Sequence, residues 1–244
     1  MNRSLLLACL LATPCANGAQ PPDTASLLTK MAANHAQLQD YTCEISRQEL
    51  FKGKQRELPN VVFKYKRPAR YYMKWPDDGI EAIYVEGKYD NRMVIHGGLL
   101  FSFASVAVDP KVALNHGRHT LPEADLGNII KIFEDNTRRA SKDPEAKIAY
   151  DGDEDLEGRP AWRFKAVFPP NKGYYGHVVR VHVDQHYVLP VRIEVRGWQN
   201  ELLESYRYSS LKRNVGLSEA DFDVKNPAYM FRLGNRAVDS NEPR

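Results

Sequence analysis

The chain has 244 residues, 43% of them hydrophobic and 27% charged, which is the balance of a globular protein and excludes global disorder. Its net charge of +3 is too mild, and its basic residues too scattered, to argue for nucleic acid as a partner. Thirteen tyrosines, nine phenylalanines and three tryptophans suit strands, and they are also what apolar pockets are made of.

Residues 1–19 read as an export signal: Arg3 supplies the positive start, 5–12 an apolar run, and 14–19 a small-residue stretch cleavable near Gly18 or Ala19. Leu6-Leu7-Ala8-Cys9 has the local look of a lipoprotein box, but too few apolar residues precede Cys9, and Cys15 follows Pro14. Lipid anchoring at either cysteine is therefore not expected. Cys43 is then the sole thiol of the exported chain, which excludes an internal disulfide and fits a buried strand residue. No other segment approaches the ~18 apolar residues of a membrane span.

Asp23 or Thr24 is placed to cap a helix whose Leu27, Leu28, Met31 and Leu38 share one face. From Tyr41 onward the period changes to two. Tyr41, Cys43 and Ile45 alternate with polar partners, 52–57 reads as a turn, and Val61, Phe63 and Tyr65 resume until Lys66-Arg67-Pro68 interrupts. Strands follow over 71–75 and 80–85, separated by Pro76-Asp77-Asp78-Gly79, and another runs to His96. The stretch 99–108 is apolar on both parities, as in a strand buried on both faces or a segment lying across an apolar surface. Residues 109–120 read as loop, and Leu126, Ile129, Ile130 and Phe133 restore helical spacing within 122–140. The acidic run 151–157 reads as a solvated hairpin loop. Four strands then fill 158–209 with strict alternation, as in Trp162, Phe164, Ala166 and Phe168 against Arg163 and Lys165. Short turns join them, so neighbours pair antiparallel. A short capped turn is expected over 218–222, and 233–244 reads as a disordered tail.

These elements predict a mainly β fold with helical cover: an open antiparallel half-barrel of about eleven strands, with two or three helices plugging its apolar concave face, because a sheet that wide curls. Its interior is either a filled core or a container. Neither His116/His119 nor His182/His186 has the spacing of a helical metal site, no nucleophile elbow flanks Ser102 or Ser105, and Glu154/Asp155 lie in polar surroundings. No metal, cofactor or catalytic residue is expected. Lys66-Arg67-Pro68 reads either as a strand-end charge pair or as an arginine at a cavity mouth, meeting a lid carbonyl or an acidic head group. Tyr72, Trp75, Tyr84, Leu100, Phe101, Phe103, Ile130, Phe133, Trp162 and Phe164 are the candidate lining residues, and core packing accounts for each equally well.

The order of these features resembles the LolA-like periplasmic lipoprotein carriers: export signal, first helix, Lys66-Arg67-Pro68, the pair around Tyr84-Val85-Glu86-Gly87-Lys88, the Asp184 to Leu189-Pro190 hairpin, and Asn214-x-Gly216-Leu217-Ser218-x-x-Asp221-Phe222. The resemblance covers nearly all of 20–232 as one domain. It implies a half-barrel whose cavity takes acyl chains of a lipid or lipoprotein, with Arg67 as a gate residue touching the lid. The loop 97–122 is longer and more polar than that family's, and Gly117-Arg118-His119 has no counterpart there, so Arg118 and His119 are noted as a motif loop of a separate branch. The implied protein is a periplasmic, monomeric, non-catalytic carrier. Its partners would be a lipid or acylated lipoprotein and a membrane-bound donor or acceptor protein. The alternative is an envelope sensor or scaffold that binds a protein partner.

Overall fold

A computed structural model describes residues 21–98 and 102–232. Strands β1 (Asp40–Phe51), β2 (Lys54–Lys66), β3 (Arg70–Trp75), β4 (Ile80–Val85), β5 (Met93–Gly97) and β6 (Ser102–Val108) form one antiparallel meander. Strands β7 (Lys147–Asp155), β8 (Pro160–Val167), β9 (Val178–Asp184), β10 (Pro190–Arg196) and β11 (Leu202–Arg213) form a second. Pairing of β1 with β11 joins them into one sheet of order β6-β5-β4-β3-β2-β1-β11-β10-β9-β8-β7. The sheet is open, with β6 and β7 at opposite edges. The half-barrel expected from the sequence is the architecture observed.

That strand order dictates where the second helix lies. The chain leaves one edge at β6 and must re-enter at the other edge as β7, so the intervening segment has to cross a face of the sheet. It crosses the apolar face as helix α2 (Leu126–Ala140), which buries Leu126, Ile129, Ile130 and Phe133. Asp125 caps α2 by accepting from the Gly127 N–H, and Arg138 and Arg139 sit in its last turn, where the helix dipole favours cations. Helix α1 (Thr24–Ala36) is capped by Asp23, packs against α2 and β7, and buries Leu27 and Met31. Both helices share one core with Trp162, Phe164, Val181 and Val183 of the sheet.

Several expectations from the sequence need correction. The acidic run is not a loop: 151–155 belongs to β7, because Asp151 and Glu154 pair with Arg163 of β8, and Glu154 also accepts from His182 of β9. The turn expected over 52–57 is confined to the two residues before β2. The 99–108 run is neither buried on both faces nor laid across an apolar surface where it is described: β6 is an edge strand, and Phe103 is 89% exposed. The sheet also does not have one uniformly wet face. Behind β3 to β5, Tyr72, Ile83, Val85 and Val94 form a second core with Phe222 and Val224. This is why β3 and β4 are apolar on both parities.

The segment 214–232 is held over that back face by polar contacts as well as apolar ones. The buried Asp40 carboxylate accepts from the N–H groups of Val215, Gly216 and Leu217, and Ser218 with Asp221 forms a capping box. Tyr229 stacks on Tyr72 at 4.3 Å. Phe222 is 2% exposed, so Phe222→Ala is expected to destabilise the fold by about 3–5 kcal/mol. Urea titration should show the midpoint lowered at unchanged slope.

Candidate functional site

Between the concave face and its cover lies a cavity of about 1000 Å³. Ile45, Val61, Met73, Trp75 and Met93 line it from the sheet; Leu121, Ile129 and Ile132 line it from the opposite side. Ile132, which lines this space, is 39% exposed. The cavity sits mainly under the first meander and reaches β11 and Ile193 of β10. Under β8 and β9 the same face is filled by α1 and α2.

The cover over the cavity is α2 together with 109–124, which is irregular apart from 3-10 turns at Pro110–Asn115 and Pro122–Ala124. The first turn is fastened to the β1–β2 hairpin through its C-terminal carbonyls. Lys52 Nζ donates to the Asn115 carbonyl at 3.3 Å, and Arg56 Nη1 to that of His116 at 3.0 Å. Arg56, Glu57, Asp78 and His116 are exposed and line the mouth. At the rim, Gly97 has φ +95° and lies so close to Gly79 that a Cβ would overlap the Gly79 carbonyl oxygen.

Along β1 and β11 the inward stripe changes character. Ile45 pairs with Tyr208 and Val61, but the next inward positions are Arg47 opposite Tyr206, then Glu49 opposite Glu204. Glu49 is fully buried and Glu204 is 4% exposed. Buried carboxylates need donors. Glu49 Oε2 accepts from Tyr206 Oη at 3.2 Å and the Arg118 N–H at 3.3 Å; Glu204 Oε2 accepts from His119 Nε2 at 2.9 Å and Tyr175 Oη at 3.0 Å. Arg118 also donates to the Leu50 carbonyl and to Tyr175 Oη, and lies 3.5 Å from Glu204. Burial disfavours charge on His119, but the hydrogen bond and charge of Glu204, with Glu123 and Glu49, outweigh it and raise the pKa. Burial pushes the Tyr206 hydroxyl up, so it stays a donor at ordinary pH.

Of the residues singled out from the sequence, Trp75 and His119 line the cavity, and Arg118 braces its charged end. Arg67 turns to the first helix instead, with Nε donating to the Leu38 carbonyl at 2.5 Å and Nη2 to that of His35 at 2.6 Å. Tyr72 faces the back of the sheet. Ile130, Phe133, Trp162 and Phe164 are buried in the core, and half-buried Tyr84 packs beside Tyr71. Phe103 stands in solvent, while Leu100 and Phe101 lie outside the described residues. Arg47, Glu49 and Glu204 were missed. The signal for the first two was present in the sequence: Arg47 and Glu49 occupy the parity that Tyr41, Cys43 and Ile45 mark as inward.

An open antiparallel half-barrel with an apolar cavity beneath a helical and loop cover is thus the class of protein that fold and site define. The family model described as "Protein of unknown function (DUF1571)" matches residues 38–231, and the chain belongs to that family. A search of curated proteins finds no significant match. Among solved structures the chain is similar to MucB, at 16% identity and TM-score 0.52, covering 82% of this chain and 62% of MucB. It therefore spans about three fifths of the length of that relative. Lesser overlaps are with lipoprotein LppX of Mycobacterium tuberculosis (10% identity, TM-score 0.46, 82% of this chain and 100% of that one) and the LolA superfamily protein NE2245 of Nitrosomonas europaea (8%, 0.28, 82% and 96%).

The raised pKa of His119 has a definite sign. A histidine whose folded pKa lies above its unfolded value stabilises the fold fully below about pH 6.5, and this contribution is lost as pH rises through the folded value. The wild-type advantage over His119→Gln is expected to grow as pH falls toward 6.5 and to vanish well above it. By NMR, His119 should titrate above the ordinary range, and His182, whose burial lowers its pKa, below it.

Proposed function

We propose that this protein is a periplasmic, non-catalytic carrier or binder of acyl chains, as a lipid or as an acylated lipoprotein. The observation that carries the reading is the cavity of about 1000 Å³ with largely apolar walls, which the side chains of the described residues leave unfilled. Its size is at the upper end of the ~300–1,000 Å³ usual for small-molecule sites. Burying a CH₂ group is worth about 0.8 kcal/mol, so a ten-carbon chain gains on the order of 8 kcal/mol before ordering costs. That gain supports reversible capture without any chemistry. Export by residues 1–19 and a single working domain over 20–232 belong to the same proposal.

In this reading Arg67 is a gate residue that holds the end of α1 through two carbonyls. Arg67→Met should speed amide hydrogen exchange over residues 31–38 while leaving that of β8 to β10 unchanged. Equal exchange in both variants would remove the gate role.

Purified protein is expected to bind a fluorescent acyl probe that dodecanoate displaces. Ala113, on the covering segment, faces the cavity without a strand partner. Ala113→Trp should cut probe affinity at least tenfold at unchanged thermal stability. Wild-type protein that binds no probe would sink the carrier reading.

The second reading, an envelope sensor or scaffold, is favoured by the sheet edge at β6, where Phe103 is exposed. A stoichiometric protein partner recovered from envelope extract, with no acyl binding, would select it.

A further inference from the structure

From the charged end of the cavity we infer the ligand class: an anionic amphiphile, an acyl chain ending in a carboxylate or phosphate, whose head group is held by Arg47. This rests on the carrier reading and gives it a direction, chain among Met73, Trp75 and Ile129, head at the Arg47 end.

Arg47 lines the cavity with its side chain 16% exposed. Its Nε–H is buried and has no hydrogen-bond partner. The nearest carboxylate oxygen, Glu49 Oε1, lies 4.0 Å from Nη2, an ion pair without a hydrogen bond. A buried cation with an idle donor is costly to leave unpaired, and an arriving oxyanion satisfies it in the forked geometry that guanidinium favours. Arg56 at the mouth, stacked 4.8 Å over the Phe51 ring, adds a second cation on the path in.

The acids nearby are partly engaged; Glu49 Oε1 is the exception, buried without a hydrogen-bond partner 4.0 Å from Arg47. Glu204 accepts from His119 and Tyr175, and Glu49 from Tyr206 and the Arg118 N–H. Glu123 accepts from Thr120, and Glu57 from Gln48. Asp78 lies exposed at the far rim. Arg47 and Arg118 balance Glu49 and Glu204 in charge, and a protonated His119 balances Glu123, 3.9 Å away. An ammonium head at the Arg47 end leaves the idle Nε–H unsatisfied, whereas a hydroxyl head offers it only a neutral acceptor.

The test is displacement of the fluorescent acyl probe from the full-length protein by four ligands of one chain length. Dodecanoate and dodecyl phosphate should displace it at concentrations about 10- to 100-fold lower than dodecanol, the range a charge-assisted hydrogen bond supplies, and dodecylammonium should be weaker than dodecanol. Arg47→Met should erase the advantage of both anions over dodecanol. Equal affinity for acid and alcohol overturns the inference while the carrier reading stands, and this arm needs no variant. If Arg47→Met retains its fold by circular dichroism and keeps the anion preference, Arg47 is not the head-group residue. Displacement of dodecanoate by inorganic phosphate alone would show a free-anion site and overturn the amphiphile. Failure of every chain to bind fails both readings together.

Discussion

The structure depends on one topological constraint: the two meanders meet at their centre through β1 and β11, which puts the strands on either side of the middle connection at opposite edges of the sheet. The connecting segment must therefore traverse the full width of a face. It takes the apolar one, where α2 buries a continuous stripe. Where that helix lies over β8 and β9, with α1 beside it, the face is filled. Under the earlier strands the traverse continues as 109–124, whose short turns bring Val112 and Leu121 to the cavity wall without filling the space. A crossing that starts irregular and ends helical leaves a void at its irregular end.

One end of that void is walled by charge. Two carboxylates and two guanidinium groups on and beside the inward stripe of β1 and β11 cannot be packed against leucine without loss of their partners, so the wall there is fixed by directional bonds. Arg118 ties Leu50, Glu49 and Tyr175 together, and His119 links the covering segment to Glu204. The same groups that hold the loop down also give the cavity unlike ends. Polarity of the wall and attachment of the cover are one arrangement.

Much of the architecture was legible in the sequence because alternation is unambiguous where one face is wet. From Trp162 to Tyr208 the period of two marked the inward residues, and Asp23 and Asp125 stand where caps are needed. Legibility failed where a second surface intervened. Tyr72 looked inward-facing because it is aromatic, but its parity is opposite to that of Met73 and Trp75, and the apolar surface it meets comes from Phe222 and Tyr229, some 150 residues later. Glu154 looked like loop because charges on an edge strand read as solvated, although its partners Arg163, His182 and Arg192 lie on the three strands that follow. For the site, aromatic residues drew attention and Arg47 did not, since a charge in a strand is by default assigned to the wet face. Parity counted from Tyr41 places it inside.

The pairing of β1 with β11 has a further consequence for how the chain reaches its native state. Glu44 and Ser209, neighbours in that ladder, are 165 residues apart in sequence. Each meander is assembled from local hairpins, but the seam between them closes a very long loop, and such closures are slow. A polypeptide emerging from its N-terminus can build the first meander and hold it with one edge of β1 bare until almost the whole chain is out. Protection of that bare edge during synthesis is a demand the fold places on the cell that makes it.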